Sequence, residues 1–344
     1  MSRRDAVPPA KLAHPQRETA LGSSLTPRLR CVNSRFGAAT NAPPKRKPQP
    51  RLDMILESHT RAPFAGAYMA RAFLPSPGLP KDGGFPQLAE RWAGLRIDPR
   101  HLAAFRAAVG ARNDDRAVCV LYPHVLGFRL QMALLTHRAF PLPIWNALQI
   151  RSRLVRHRAV GPGAILEMET RTAQHRRVDK GLEVDLHTRL SQGTELLWES
   201  SVTYFYRGRF GASDGPAQPA APPDLRDAAV VEQFRMPLGG GWAFGSLTGD
   251  YNGIHCWPWY ARRFGFRAAF LHPQRAAGLC MARLEGPRSV AQTLELWLKG
   301  TVFYGEEVAL SAKTREGGVQ FGLALAGDSR MALLGSWHGA AAPI

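Results

Sequence analysis

The chain has 344 residues, with 45 Lys and Arg against 27 Asp and Glu, a formal net charge of +18, and 45% hydrophobic residues. That length admits two folded units or one large one, and the apolar content, 16 Phe included, excludes a wholly disordered chain. No run reaches 18 apolar residues, which excludes a membrane-spanning helix, and four scattered cysteines (Cys31, Cys119, Cys256, Cys280) without a CxxC pair exclude a disulfide scaffold and a zinc ribbon. Such cysteine usage fits a reducing, cytoplasmic setting.

The charge is uneven. Residues 1–51 hold 11 Lys and Arg and two acids, Asp5 and Glu18, so half the net charge falls in about one seventh of the chain. The segment is rich in proline and lacks apolar periodicity, so it does not bury enough surface to offset its ordering entropy. It reads as a disordered basic extension over 1–53, or as sequence upstream of a natural start at Met54. A targeting presequence is the lesser alternative, because early prolines break an amphipathic helix. The cluster Lys45-Arg46-Lys47 is a weak signal for anionic polymers, and no specific nucleic-acid module accompanies it.

Residues 54–87 form an irregular lead-in, with turn signals at Pro75–Pro77 and Lys81-Asp82-Gly83-Gly84. The spacing of Leu88, Trp92, Leu95, Leu102, Phe105 and Val109 predicts two short helices, the second capped by Asp98 with Pro99 at its first position. Val118–Leu135 reads as a strand or extended entry followed by a helix. After Phe140-Pro141-Leu142-Pro143 the period becomes two: Ala164, Leu166 and Met168 alternate with Glu167 and Glu169, and Val184, Leu186 and Leu190 with Glu183, Asp185, His187 and Arg189. With Trp198–Tyr206 these are half-buried antiparallel strands. Residues 209–230, rich in Pro, Ala and Gly, form a linker. An irregular stretch with Gly239-Gly240-Gly241 leads to a polar loop, Thr248–His255, then to helices over Pro258–Phe264 and Gln274–Leu284. Strands resume at Leu294–Leu298, Val308–Lys313, Val319–Ala326 and Met331–Trp337, with Gly317-Gly318 marking a hairpin. Each half therefore runs from helix to about four antiparallel strands, an α+β pattern repeated over 88–208 and 231–344. Wrapping each sheet around a central helix buries both patterns.

The stretch that carries chemistry is Phe244-Gly-Ser-Leu-Thr-Gly-Asp250-Tyr-Asn252-Gly-Ile-His255-Cys-Trp-Pro258-Trp-Tyr260-Ala261. Asp250 and His255 lie five residues apart in a turn-rich loop, which can bring both onto one water, and Asn252 between them is suited to orient the loop or the ring. Read bare, Asp250 is a turn residue and His255 a core histidine. Cys256 adjoins His255 in a loop, where neighbours seldom face each other. No ligands near position 255 have metal-site spacing, so neither metal nor cofactor is expected. Met132, His137 and the run Arg151–Arg156 read as core and solvated face.

The stretch resembles the signature of the MaoC-like dehydratases, the hydratase-2 family of (R)-specific enoyl-CoA hydratases. Thr-Gly-Asp-x-Asn, Ile-His, Pro and Tyr-Ala match in type and spacing. Ala261-Arg262-Arg263-Phe264-Gly265-Phe266 and Phe270-Leu271-His272 are similar to the residues downstream of the motif in that family. The likeness covers residues 88–344 and implies a double hotdog whose first half, 88–208, lacks the motif and supplies the other wall of the pocket. It implies interconversion of trans-2-enoyl and (R)-3-hydroxyacyl thioesters of CoA or acyl carrier protein, as in fatty acid metabolism. The implied acid–base pair is Asp250 and His255, and the implied form a homodimer or a pseudo-dimeric monomer without membrane attachment. Tyr251, Trp257 and His272 are expected at the substrate pocket. Three positions depart from the family pattern. Gly253 replaces a proline, which loosens the loop; Trp257 replaces an acid; and Pro273 comes after His272 where the family has a glycine whose amide polarises the thioester carbonyl. Proline has no N–H, and losing such a donor costs about 10²–10³ in rate. Gln274, by amide or side chain, and Arg275 are the candidate replacements. The alternatives are a non-catalytic acyl-thioester-binding hotdog and a thioesterase on the same fold.

Overall fold

The computed structural model describes residues 54–80, 84–111, 119–161, 163–215, 221–328 and 330–339. The expectations for residues 1–53 and for the Lys81-Asp82-Gly83 turn lie outside the described residues. In chain order the elements are β1 (Ile55–His59), α1 (Ala65–Arg71), β2 (Leu88–Leu95), α2 (Pro99–Val109), α3 (Tyr122–Leu135), β3 (Ala147–Arg156), β4 (Leu166–Val178), β5 (Gly181–Gln192) and β6 (Glu195–Arg207). Then come β7 (Ala229–Arg235), α4 (Gly241–Thr248), α5 (Pro258–Arg263), α6 (Pro273–Met281), β8 (Gln292–Leu298), β9 (Glu307–Arg315), β10 (Gly318–Leu325) and β11 (Met331–His338). The strands form one sheet in the order β1-β2-β4-β5-β6-β3-β8-β11-β10-β9-β7. Among the described residues only the β1–β2 pair is parallel. The two half-sheets meet where β3 pairs antiparallel with β8, from Arg151 opposite Trp297 to Arg156 opposite Gln292. This is the double-hotdog arrangement. Among the described residues no helix is long and apolar enough to cross a membrane.

Helix α3 is the centre of the first half. It is mostly apolar, and every residue but Arg129 is buried, as a helix wrapped by its sheet requires. Trp198, fully buried on β6, donates its indole N–H to Val120 O at 2.8 Å and fixes the entry to the helix. In the second half, α6 is buried from Gln274 to Met281. It meets α2 at Gly278, where an added Cβ would lie 2.5 Å from Val109 Cγ1, so glycine permits the close approach.

Several segments differ from the sequence reading: Gly241–Thr248, read as irregular, is α4, and Ala147–Arg156, for which no strand was expected, is β3. Leu88–Leu95 is a strand, not a helix, pairing with β4 from Ala89 opposite Arg171 onward. Leu88 and Trp92, four apart, suit either period. Gly94, at φ +71°, sits in the irregularity between Ala93 and Leu95, and that extra residue returns Leu95 to the buried face. The helical spacing was thus a strand with a bulge. The lead-in over 54–87 carries β1 and α1, and Tyr68 of α1 is fully buried. Its strand is short and mostly exposed, so it leaves no apolar alternation to read. Strand β7 starts inside the stretch taken as linker and continues through the one taken as irregular. It is an exposed edge strand held by β9. The Asp98 cap behaves as expected, its Oδ1 accepting Arg100 N–H at 2.8 Å.

Replacing Gly278 with valine should force α6 off α2 and cost about 1–3 kcal/mol. Urea unfolding of the variant against wild type measures this; an unchanged midpoint would contradict the close packing.

Candidate active site

Helix α4 delivers the loop that carries Asp250. The last carbonyls of a helix have no partner within it, and here side chains of α1, α2 and α3 take them. Arg129 Nη2–H donates to Ser246 O at 2.8 Å, His101 Nε2–H to Leu247 O at 3.1 Å, and Tyr68 O–H to Gly249 O at 2.6 Å. Gly249 itself, at φ +81°, ends the helix in the left-handed conformation. The chain then closes in a series of side-chain turns. Asp250 N–H donates to Thr248 Oγ1 at 3.0 Å, Asn252 N–H to Asp250 Oδ1 at 3.1 Å, and Ile254 N–H to Asn252 Oδ1 at 3.3 Å. Asn252 thereby caps the single 3₁₀ turn, Gly253–His255, that presents the histidine. It orients the loop and makes no hydrogen bond to the ring. Gly253 does not loosen this turn. A Cβ there would meet the Tyr260 ring at 2.7 Å and Trp257 at 2.9 Å, so the rings pack against the backbone.

His255 is buried and donates Nδ1–H to Phe270 O at 2.9 Å. A carbonyl only accepts, which leaves the Nε2 lone pair facing Asp250 Oδ2 at 3.6 Å. His272 stacks on His255 with ring centroids 4.0 Å apart and donates Nε2–H to Asp250 O at 3.1 Å. Burial pushes the Asp250 carboxyl above its ordinary range, with His255 opposing. It pushes His255 below its ordinary range, against the pull of Asp250. His272 is driven lower still, by burial and by the neighbouring His255. Burial therefore favours the neutral form of each group.

Asp250, His255 and His272 place one potential ligand atom each within 4.8 Å of one another. The His272 Nε2 that faces the group carries the proton it donates, so it has no lone pair to offer a metal there. The arrangement is suited to moving protons. Asp250 and His255 open onto a cavity of about 410 Å³ whose walls come from both halves, Phe128, Met132 and Tyr204 from the first and Phe270, Leu271 and Gln274 from the second.

No protein-family model matches the chain. The 3-hydroxyacyl-thioester dehydratase X of Mycobacterium tuberculosis is 28% identical over 210 residues, 61% of this chain and 74% of that protein. Its crystal structure covers 73% of this chain and 99% of its own at a TM-score of 0.61 and 22% identity. A MaoC-like dehydratase from Phytophthora capsici covers 74% of this chain and 95% of its own at a TM-score of 0.63 and 18% identity. The chain shares the double-hotdog fold of these proteins.

Of the remaining expected site residues, Gln274 lines the cavity, and Arg275, Tyr251, Trp257 and His272 lie apart from it. Arg275 turns away: its Nε–H donates to Ala108 O at 3.2 Å and its Nη1–H to Gly239 O at 2.7 Å, so it ties α2 to the glycine turn instead of facing a substrate. Tyr251 and Trp257 pack on Trp242, at 5.6 and 5.1 Å between ring centroids, outside the cavity lining. His272 is fully buried behind His255. Gln274 does line the cavity, and its Oε1 is buried without a partner among the described residues. The sequence reading missed Tyr68 of the lead-in and His101, Arg129 and Tyr204 of the first half. Tyr204 donates its hydroxyl to Gln131 Oε1 at 2.9 Å and lines the cavity. Met132, read as core, is buried but also lines it. In a sequence such residues look like any inward-facing aromatic or apolar position.

Tyr68→Phe would leave the Gly249 carbonyl buried without its donor, and should lower stability by about 1–3 kcal/mol. Thermal or urea unfolding reads this, and no loss would show that Tyr68 does not hold the loop.

Proposed function

We propose that this protein is an acyl-thioester hydro-lyase that interconverts trans-2-enoyl and (R)-3-hydroxyacyl thioesters. The observation that carries the reading is the buried pair Asp250 Oδ2 and His255 Nε2, 3.6 Å apart at the wall of an apolar cavity. That separation exceeds a hydrogen bond and leaves both groups free to engage one water. The likeness to the 3-hydroxyacyl-thioester dehydratase X supports the same reaction class. The (R) hand follows the resemblance in the motif.

With burial favouring the neutral forms, His255 Nε2 is the base and the Asp250 carboxyl the acid. In hydration the water oxygen bonds to C3 while His255 takes one of its protons. The C2–C3 π electrons move toward C2 and the thioester C=O, where negative charge develops on oxygen. Asp250 then gives its proton to C2, and the pair ends with the proton on His255, from which it returns to Asp250. Dehydration reverses each transfer. The developing oxyanion needs a donor, and Pro273 has none. Gln274 is the next residue on α6, among the first amides of a helix, which have no partner within it. Its main-chain N–H and its side-chain amide are the two candidate donors. Pro273 is also the observation that favours a binding protein without turnover.

The test is hydration of crotonyl-CoA and longer enoyl-CoA esters. Asp250→Asn and His255→Ala should each lower kcat by about 10²–10⁴; unchanged activity in both would sink the pair, and tight binding without turnover by wild type would establish the binding reading. The active form holds one proton on the pair, so kcat/KM should be bell-shaped in pH. Activity falls on the acid side as His255, whose pKa is depressed, gains a proton, and on the alkaline side as Asp250, whose pKa is raised, loses one. Gln274→Ala separates the two oxyanion donors. A loss of about tenfold or more in kcat assigns the side chain, and wild-type kcat assigns the main-chain amide.

A further inference from the structure

A second group of titratable side chains lies on β1 and β2, apart from the catalytic loop and independent of the hydro-lyase activity. The parallel register sets Glu57 directly opposite Glu90, and His59 falls two residues further along the same face of β1. Glu90 occupies a core-facing position between Leu88 and Trp92 and is only 1% exposed. A carboxylate at such a position is costly unless it is paired or ligated. It has one partner, His59 Nε2 at 2.6 Å from Oε2, while Oε1 is buried without any among the described residues. A second carboxylate directly opposite adds repulsion.

The potential ligand atoms of Glu57, His59 and Glu90 all lie within 4.8 Å of one another. Ligands about 2.0–2.2 Å from a tetrahedral ion stand roughly 3.3–3.6 Å apart, so His59 Nε2 and Glu90 Oε2, now 2.6 Å apart, would move apart by side-chain rotation and release the proton they share as an ion enters. A further histidine fixes the outer geometry. His137 Nδ1 accepts Ala139 N–H at 3.1 Å, so its Nε2 carries the proton and donates to Glu57 Oε1 at 3.1 Å. That proton makes His137 a support for the carboxylate and not a ligand. Arg71 of α1 approaches the outer oxygen of Glu57 at 3.8 Å.

We propose that Glu57, His59 and Glu90 bind one divalent transition-metal ion. Two carboxylates and an imidazole, with a fourth position open to water, are a donor set for zinc or manganese. The ion would clip the short edge strand β1 to β2. It would thereby anchor α1, which follows β1 and whose Tyr68 holds the Gly249 carbonyl beside Asp250. Its role is structural, at a distance from the proton-transferring pair.

The experiment uses the full chain, stripped of metal by a chelator and titrated with zinc by calorimetry, with the melting temperature followed in parallel. Wild type should take up one zinc per chain at micromolar concentration and melt at a higher temperature with zinc than without it. His59→Ala and Glu90→Gln should each weaken binding by at least about tenfold and abolish the zinc-dependent rise in melting temperature. Glu90→Gln keeps the side-chain shape and removes a buried charge, so a folded variant is expected even if His59→Ala unfolds. His255→Ala should bind zinc as wild type does. Zinc affinity unchanged in Glu90→Gln, loss of binding in His255→Ala instead, or no uptake by wild type would each overturn the proposal, the last leaving an ion-pair network only.

Discussion

The last turn of α4 presents carbonyls that its own helix does not satisfy, and the site depends on where their partners come from. Arg129, His101 and Tyr68 reach them from α3, α2 and α1. A helix end buried without such donors would carry several unpaired acceptors, each costing about 1–3 kcal/mol. These donors thus hold in place the loop that carries the proposed acid–base pair. The β3–β8 pairing joins the half-sheets, and α2 and α3 of the first half pack against α4 and α6 of the second.

Within that frame the loop is built almost wholly from local hydrogen bonds. Thr248, Asp250 and Asn252 each accept from an amide two residues on, a pattern short polar side chains favour in turns. The two histidines are then sorted by the carbonyls they meet. His255 donates to Phe270 O and keeps a lone pair toward Asp250. His272 donates to Asp250 O and so faces it with a proton. Stacked imidazoles in a buried site disfavour charge on either ring, and the same burial disfavours charge on Asp250. Low polarity, more than any strong ion pair, sets the direction of these shifts. The net positive charge of the chain plays no visible part in this geometry. Phe128, Met132, Phe270 and Leu271 make the cavity wall apolar around Tyr204, Gln274 and the pair itself.

Much of the fold was legible in the sequence. The alternation over Leu166–Leu190 and Leu294–Leu298, the Asp98–Pro99 helix start and the tandem order of elements all follow from period and capping chemistry. Leu88–Leu95 was misread because a bulge at Gly94 shifts the parity of a strand and imitates a helix. β1 and β7 were missed because edge strands that bury little have no apolar signature.

Sequence alone was enough to set the Asp250, Asn252 and His255 loop, since its hydrogen bonds join neighbours along the chain, and to show that Pro273 has no amide to donate. Tertiary packing chose which more distant residues serve that loop. It sent Arg275 to the Ala108 and Gly239 carbonyls, set Tyr251 and Trp257 against Trp242, and brought Tyr68, His101, Arg129 and Tyr204 to the site. The reason is physical: a side chain's partner is set by which groups folding leaves near it, and for Tyr68, His101 and Arg129 those groups lie more than a hundred residues away.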